Sequence, residues 1–236
     1  MAIPVTEEAP PSVRSEAIPP LENGMHLGAT EFLRRYEAMP EIKKAELIGG
    51  IVYMGSPVRT DQHGEPDALI HGFLFTYSAG LRSVRHSANS TVRLGADDVP
   101  QPDAFLRILP EYGGRSRLDE KGYIQGPPEL VAEIAASSAN LDARQKRESY
   151  RRCEIPEYLL WRTEDRQINW WYLHEDEYVL LPQGDGVLRS RVFPGLWLDV
   201  RAALSRDGAA MIAKLNEGMR SEEYLRFVER LRQNSR

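Results

Sequence analysis

Residues 130–136 read LVAEIAA, an apolar run of strand length interrupted by one acid, Glu133. An ionised carboxylate in such a strand costs several kcal/mol unless it is paired, hydrogen-bonded or metal-bound. A compensating partner is therefore required. Strand alternation sets Leu130, Ala132, Ile134 and Ala136 on one face and Val131, Glu133 and Ala135 on the other, so Glu133 emerges among small side chains that leave room beside it. Two readings stand: a buried salt bridge to a basic residue of the following segment, or one half of a site. A second acid, Asp103, stands 30 positions earlier (133 − 103 = 30) in VPQPDAFLRI, residues 99–108. There Pro102 fixes the backbone at a strand entry, and the acid either ends a turn or opens a site.

Working outward, residues 45–54, AELIGGIVYM, form a hairpin pattern in which Gly49-Gly50 supplies the positive φ angles of a primed two-residue turn. Glu46 lies on its first strand. Before it, TEFLRRYEAM predicts a short helix with Thr30 as N-cap and Pro40 beyond its end. After it, Leu69, Ile70, Phe73, Leu74 and Tyr77 recur at helical spacing over residues 61–80. Strand-like pieces follow at 83–87, 91–95, 103–109 and 130–136, separated by turn-rich GADDVPQP and YIQGPP. The charged run LDARQKRESYRR, residues 141–152, predicts a helix with Asn140 as N-cap and Asp142 in its first turn. EYLLWR, QINWWYL and EYVLL complete a sheet, and the chain turns helical again beyond residue 200. Helices and strands mixed in this order predict an α/β or α+β fold with a central mixed β-sheet flanked by helices.

With 236 residues, 42% hydrophobic and 28% charged, the chain can bury one substantial core. The expected organisation is a flexible tail over residues 1–25, one domain over 26–204 and a helical extension over 205–236. In that extension Tyr224, Leu225, Phe227, Val228 and Leu231 offer an apolar stripe to the body or to a second copy in a homodimer. The net charge of −5 argues against non-specific coating of nucleic acid or anionic membrane, while leaving room for a local basic stripe. Cys153 is the only cysteine, which removes an intrachain disulfide and zinc-type spacing and suits a reducing cytoplasmic setting. No run approaches the roughly 18 apolar residues of a membrane span.

Chemistry enters where these elements converge. Asp103 opens one strand, Glu133 lies inside the next, and Arg144, Lys146, Arg147, Arg151 and Arg152 follow directly. Two acids around a hard divalent cation, with cations alongside for a phosphate, is the pattern of metal-assisted phosphodiester hydrolysis. Asp142, Lys146 and Tyr150, at i, i+4 and i+8, share one helical face. His63, Asp67 and His71 share another, without the HExxH spacing of a zinc helix. Trp170 and Trp171 are candidates for base stacking or for the core, since neighbours on a strand face opposite ways.

Taken together, AELIGGIVYMGSPV, His63, VPQPDAF, PPELVAEIAASS, the Asp142–Lys146–Tyr150 trio, CEIPEYLLW and FPGLWLDV resemble the Uma-type family of restriction-endonuclease-like proteins, within the PD-(D/E)xK nuclease superfamily. The likeness spans about residues 30 to 200. It implies a restriction-endonuclease-like core in which Asp103, Glu133 and the main-chain carbonyl of Ile134 ligate Mg²⁺ or Mn²⁺. It also implies that Glu46 holds a metal-bound water or a second cation, that His63 contacts the scissile phosphate, and that Gln101 contacts that phosphate or a metal-bound water. Two departures stand out. The ELIDGE-like block reads ELIGGI, and Ala135 occupies the position where the superfamily carries its catalytic lysine. Lys146 is the implied substitute, with Tyr150 orienting it or touching phosphate. The expected activity is Mg²⁺-dependent cleavage of DNA; the alternative is a degenerate nuclease fold that binds nucleic acid or a partner protein without cutting.

Overall fold

The computed structural model describes residues 17–55, 57, 59–135 and 139–234, with backbone alone for 139–143. Gly49 and Gly50 take φ angles of 57° and 78°, values that a Cβ resists. They close the hairpin of β1 (Ala45–Ile48) and β2 (Ile51–Met54) in the expected two-residue loop. Ahead of it runs α1 (Ala29–Glu37), which starts one residue before the expected cap. Thr30 lies inside the helix because the chain turns at Gly28 and the Ala29 N–H is satisfied by the Ala96 carbonyl at 2.6 Å.

A wide turn, Thr60–Gly64, leads into α2 (Glu65–Ala79), with Pro66 in its first turn. Then come β3 (Val84–Ala88), β4 (Val92–Arg93), β5 (Ala104–Ile108), β6 (Arg117–Leu118), β7 (Ile124–Gln125) and β8 (Leu130–Ala135). The helix α3 (Ala139–Arg152) follows, then β9 (Glu157–Arg162), β10 (Gln167–His174), β11 (Glu177–Leu180), β12 (Val187–Arg189) and β13 (Trp197–Asp199). The chain ends in α4 (Val200–Leu204), α5 (Gly208–Gly218) and α6 (Glu222–Asn234). α3 begins at Ala139, so Asn140 is inside it rather than capping it; the side chains of Asn140 and Asp142 lie outside the described residues.

The central sheet has the order β11-β10-β9-β8-β5-β3. Its one parallel pair is β8 with β9, and a parallel pair requires a crossover. α3 is that crossover, which is why a charged helix lies against the strand that carries Glu133. On one face, Leu130, Ala132 and Ile134 join α2, α5 and α6 around Phe73, Tyr77, Phe193 and Phe227. On the other, Val131 meets Phe105, Tyr150, Tyr158 and Trp171. Trp170 falls in the first cluster and Trp171 in the second, both buried, so neither is available to stack on a base.

Two expectations are corrected by packing, and a third is decided between its alternatives. Part of the expected tail is ordered against the body: Leu21 is buried with Phe32, Leu47 and Val99, and the Gly24 N–H donates to the Val52 carbonyl at 2.8 Å. YIQGPP, read as a turn, supplies β7, which pairs with β4 and β6. The stripe on α6 covers its own domain: Tyr224, Phe227 and Leu231 are buried in the main cluster while Leu225 stays exposed. Among the described residues no helix is long and apolar enough to cross a membrane.

Candidate active site

Strand register brings the two acids together. β5 runs antiparallel to β8 with Ala104 opposite Ala132, so one further step sets Asp103 across from Glu133, and cross-strand neighbours share a face. Asp103 Oδ2 accepts the Ile134 N–H at 2.9 Å. The hairpin then leans over this end of the sheet. Leu47 and Val99 exchange backbone hydrogen bonds of 3.1 and 2.7 Å, and Glu46 Oε1 accepts the Gln101 N–H at 2.8 Å. Lys146 arrives from α3, its Nζ 3.0 Å from Glu133 Oε1 and 3.0 Å from Glu46 Oε2. One helical turn on, the Tyr150 hydroxyl donates to Glu133 Oε1 at 2.6 Å. Asp103, Glu133, Glu46, Lys146 and Tyr150 thus meet in one place.

Two further side chains hold Asp103. His63, in the turn before α2, puts Nε2 3.3 Å from Oδ2, and Lys44 puts Nζ 2.8 Å from Oδ1. Lys44 did not emerge from the sequence motifs, although it stands two positions before Glu46 and strand alternation gives the pair one face. Asp98 was likewise hidden, inside a run read only as a turn. Its carboxylate accepts the Gly49 N–H at 2.8 Å and the Ser149 hydroxyl at 2.5 Å and pairs with Arg152 at 3.3 Å, tying the hairpin turn to α3. That clamp fixes Glu46 relative to Lys146.

The remaining expected residues are held as follows. The Gln101 side-chain amide donates to the Tyr36 hydroxyl at 3.0 Å and to Thr91 Oγ1 at 2.8 Å, so it braces the scaffold and leaves the main-chain N–H to serve the site. Ile134 meets Asp103 through its N–H. His71 pairs with Asp67 at 3.3 Å and with His86 at 2.8 Å, so the His63–Asp67–His71 face does not converge on one point.

Burial works against every charge here, and the outcome differs by residue. Burial pushes the Asp103 carboxyl up, but the His63 hydrogen bond and the Lys44 and Lys146 charges outweigh it and hold the group well below the usual carboxylate range. Glu133 goes the other way, pushed up to about 7 by burial, with Lys146 opposing and Asp103 and Glu46 adding to the rise. Lys146 rises too, since Glu133, Glu46 and Asp103 together overcome its desolvation. Lys146 keeps its charge because it faces three carboxylates, and burial makes Glu133 the acid of the cluster that holds a proton most readily. The Asp103 hydrogen bond raises His63.

The donor set fits a hard divalent ion. Mg²⁺ is held through one or two carboxylates and completes its shell with water and phosphate oxygens, and Asp103 and Glu133 are two carboxylates on one face. Among the described residues no larger group of His, Cys, Asp and Glu is arranged to hold an ion.

A family model described as "Uma2: Putative restriction endonuclease" matches residues 29–201. No curated protein matches. Among solved structures, one titled as a putative nuclease belonging to DUF820 from Anabaena variabilis ATCC 29413 is similar with a TM-score of 0.56 and 16% identity, over 74% of this chain and 97% of that one. At that identity the likeness speaks for the fold.

Proposed function

The chain belongs to the Uma2 family, and on that premise we propose that it is a divalent-metal-dependent endonuclease hydrolysing phosphodiester bonds of DNA. The observation that carries the reading is Lys146, whose ammonium is seated between Glu133 and Glu46 beside Asp103. It offers from α3 the cation that the strand withholds at Ala135. A hard divalent ion held by Asp103, Glu133 and the Ile134 carbonyl would supply positive charge toward the phosphate and a water of lowered pKa.

The protein's own groups do the rest. Glu46 Oε2 and Glu133 Oε1 fix Nζ of Lys146, which donates toward a non-bridging phosphate oxygen as charge builds there; a prepositioned donor of this kind is worth on the order of 10²–10³ in rate. Tyr150 fixes Glu133. His63 and Lys44 keep Asp103 ionised, and the Gln101 N–H fixes Glu46. DNA must find local positive charge on a chain of net −5. A cleft of about 410 Å³ between the hairpin and α3 offers Arg144 for that contact, beside Arg152, which is held by Asp98.

The competing reading is a fold that binds nucleic acid without cutting, and it is favoured by the lysines already neutralising Asp103 and Glu133. Supercoiled, linear and single-stranded DNA incubated in Mn²⁺ with wild type, Asp103→Ala and Glu133→Ala separates the two. Cleavage by wild type alone supports the proposal. Retention of DNA without cleavage supports the competitor, and equal cleavage by all three proteins refutes the site.

A further inference from the structure

Asp103 has three partners that differ in their freedom to leave. The Ile134 N–H is fixed by β8, and His63 is carried by the turn that starts α2. Lys44 alone reaches Asp103 on a flexible four-carbon stem. It pairs at 2.8 Å with Oδ1, the oxygen that neither Ile134 nor His63 uses, and 32% of its side chain is exposed against 4% for Asp103. Lys146 is the contrasting case. It is 13% exposed and shared between two carboxylates, so leaving would strand both.

We propose that Lys44 is a displaceable counter-ion that occupies the cation position at Asp103 Oδ1 until a divalent ion takes it. This rests on the metal-dependent reading above and adds how that site is regulated. The charges set the direction. Asp103, Glu133 and Glu46 are faced by the ammoniums of Lys44 and Lys146, with the His63 imidazole against Asp103. A divalent ion entering with Lys44 still in place would create a surplus of positive charge where little water screens it. One ammonium has to go, and the rim lysine can move into solvent while keeping its charge. Metal affinity is therefore lower than the carboxylates alone would give, and removing Lys44 raises it.

The test is calorimetric titration of Mn²⁺ into the full chain without nucleic acid. Wild type is compared with Lys44→Met, Lys44→Gln and, as a charge control, Lys43→Met, since Lys43 Nζ is held by the Pro40 carbonyl. Loss of an ion pair exposed on its lysine side alone, with a competing role, predicts Mn²⁺ binding about 5- to 10-fold tighter in both Lys44 variants. The Lys43 variant should stay within about twofold of wild type. In wild type, diamagnetic Mg²⁺ should also move the Lys44 Cε resonance, a readout independent of how the variants fold. Unchanged or weaker affinity in both Lys44 variants, with wild type binding Mn²⁺, or a Lys44 resonance that Mg²⁺ leaves unmoved, overturns the counter-ion and spares the nuclease. Absence of Mn²⁺ binding in wild type and Lys44 variants alike overturns both.

Discussion

Replacing Lys146 with Met keeps the stem and deletes the charge, leaving Glu133 and Glu46 buried without their shared ammonium. Each contact is 3.0 Å, which at an effective dielectric near 20 corresponds to about 5 kcal/mol of gross attraction apiece. Part of that is returned, because the lysine's own desolvation cost disappears with it. The net loss expected from breaking such a pair is about 3–5 kcal/mol, against a total stability of about 5–15 kcal/mol. The loss should depend on pH in a defined direction. Glu133 already rises to about 7, and without Lys146 it rises further, far above its unfolded value. A carboxyl raised in the folded state favours folding below its unfolded pKa and loses that contribution as pH rises through the folded one. Urea denaturation in EDTA should therefore show a larger deficit near pH 8 than near pH 6, the difference being at most about 1.4 kcal/mol, the worth of one pKa unit. A deficit below about 1 kcal/mol near pH 8, or one equal at both pH values, would refute the buried cluster.

Three other perturbations follow from the same contacts. Tyr150→Phe removes the 2.6 Å hydrogen bond to Glu133 Oε1 from a fully buried site, and should cost about 1.5–3 kcal/mol in chemical denaturation; a cost under about 0.5 kcal/mol would mean the hydroxyl is not spent on Glu133. Asp98→Ala orphans the Gly49 N–H and the Ser149 hydroxyl, so hydrogen exchange at Gly49 should accelerate about 10-fold or more. Unchanged exchange would leave the hairpin clamp without support. His86 is pushed down to about 4 from 6.5 by burial and by the His71 charge. The unfolded chain therefore takes up the proton first, and stability falls as pH drops across that window, by about 1 kcal/mol once screening of a partly exposed ring is allowed for. His86→Gln should flatten that slope, and a slope equal to wild type would assign it elsewhere.

Local signals gave most of the sheet and part of the site. Gly49-Gly50 announced its turn because positive φ is costly for other residues, and the acid at 133 announced itself because an apolar strand cannot hide a charge without a partner. The helical spacing of residues 146 and 150 was visible as well. Which way that face points depends on the parallel pairing of β8 with β9, a long-range fact that no window of sequence contains. Lys44 shows the limit differently: the alternation with Glu46 was legible, but its partner Asp103 is 59 positions away. Asp98 sat in a run rich in turn residues, where an acid has an ordinary explanation. The α6 stripe announced burial, and only the packed body shows that its own domain supplies the cover.

Metal-dependent cleavage by this site requires that Asp103 and Glu133 share one divalent cation. Crystals of the wild-type protein grown with Mn²⁺ and measured at the manganese absorption edge test it directly. An anomalous peak is expected within about 2.3 Å of a carboxylate oxygen from each residue, with the Lys44 ammonium moved off Asp103. A peak confined to one carboxylate, or manganese bound elsewhere while Asp103 stays closed by Lys44 and His63, would contradict it.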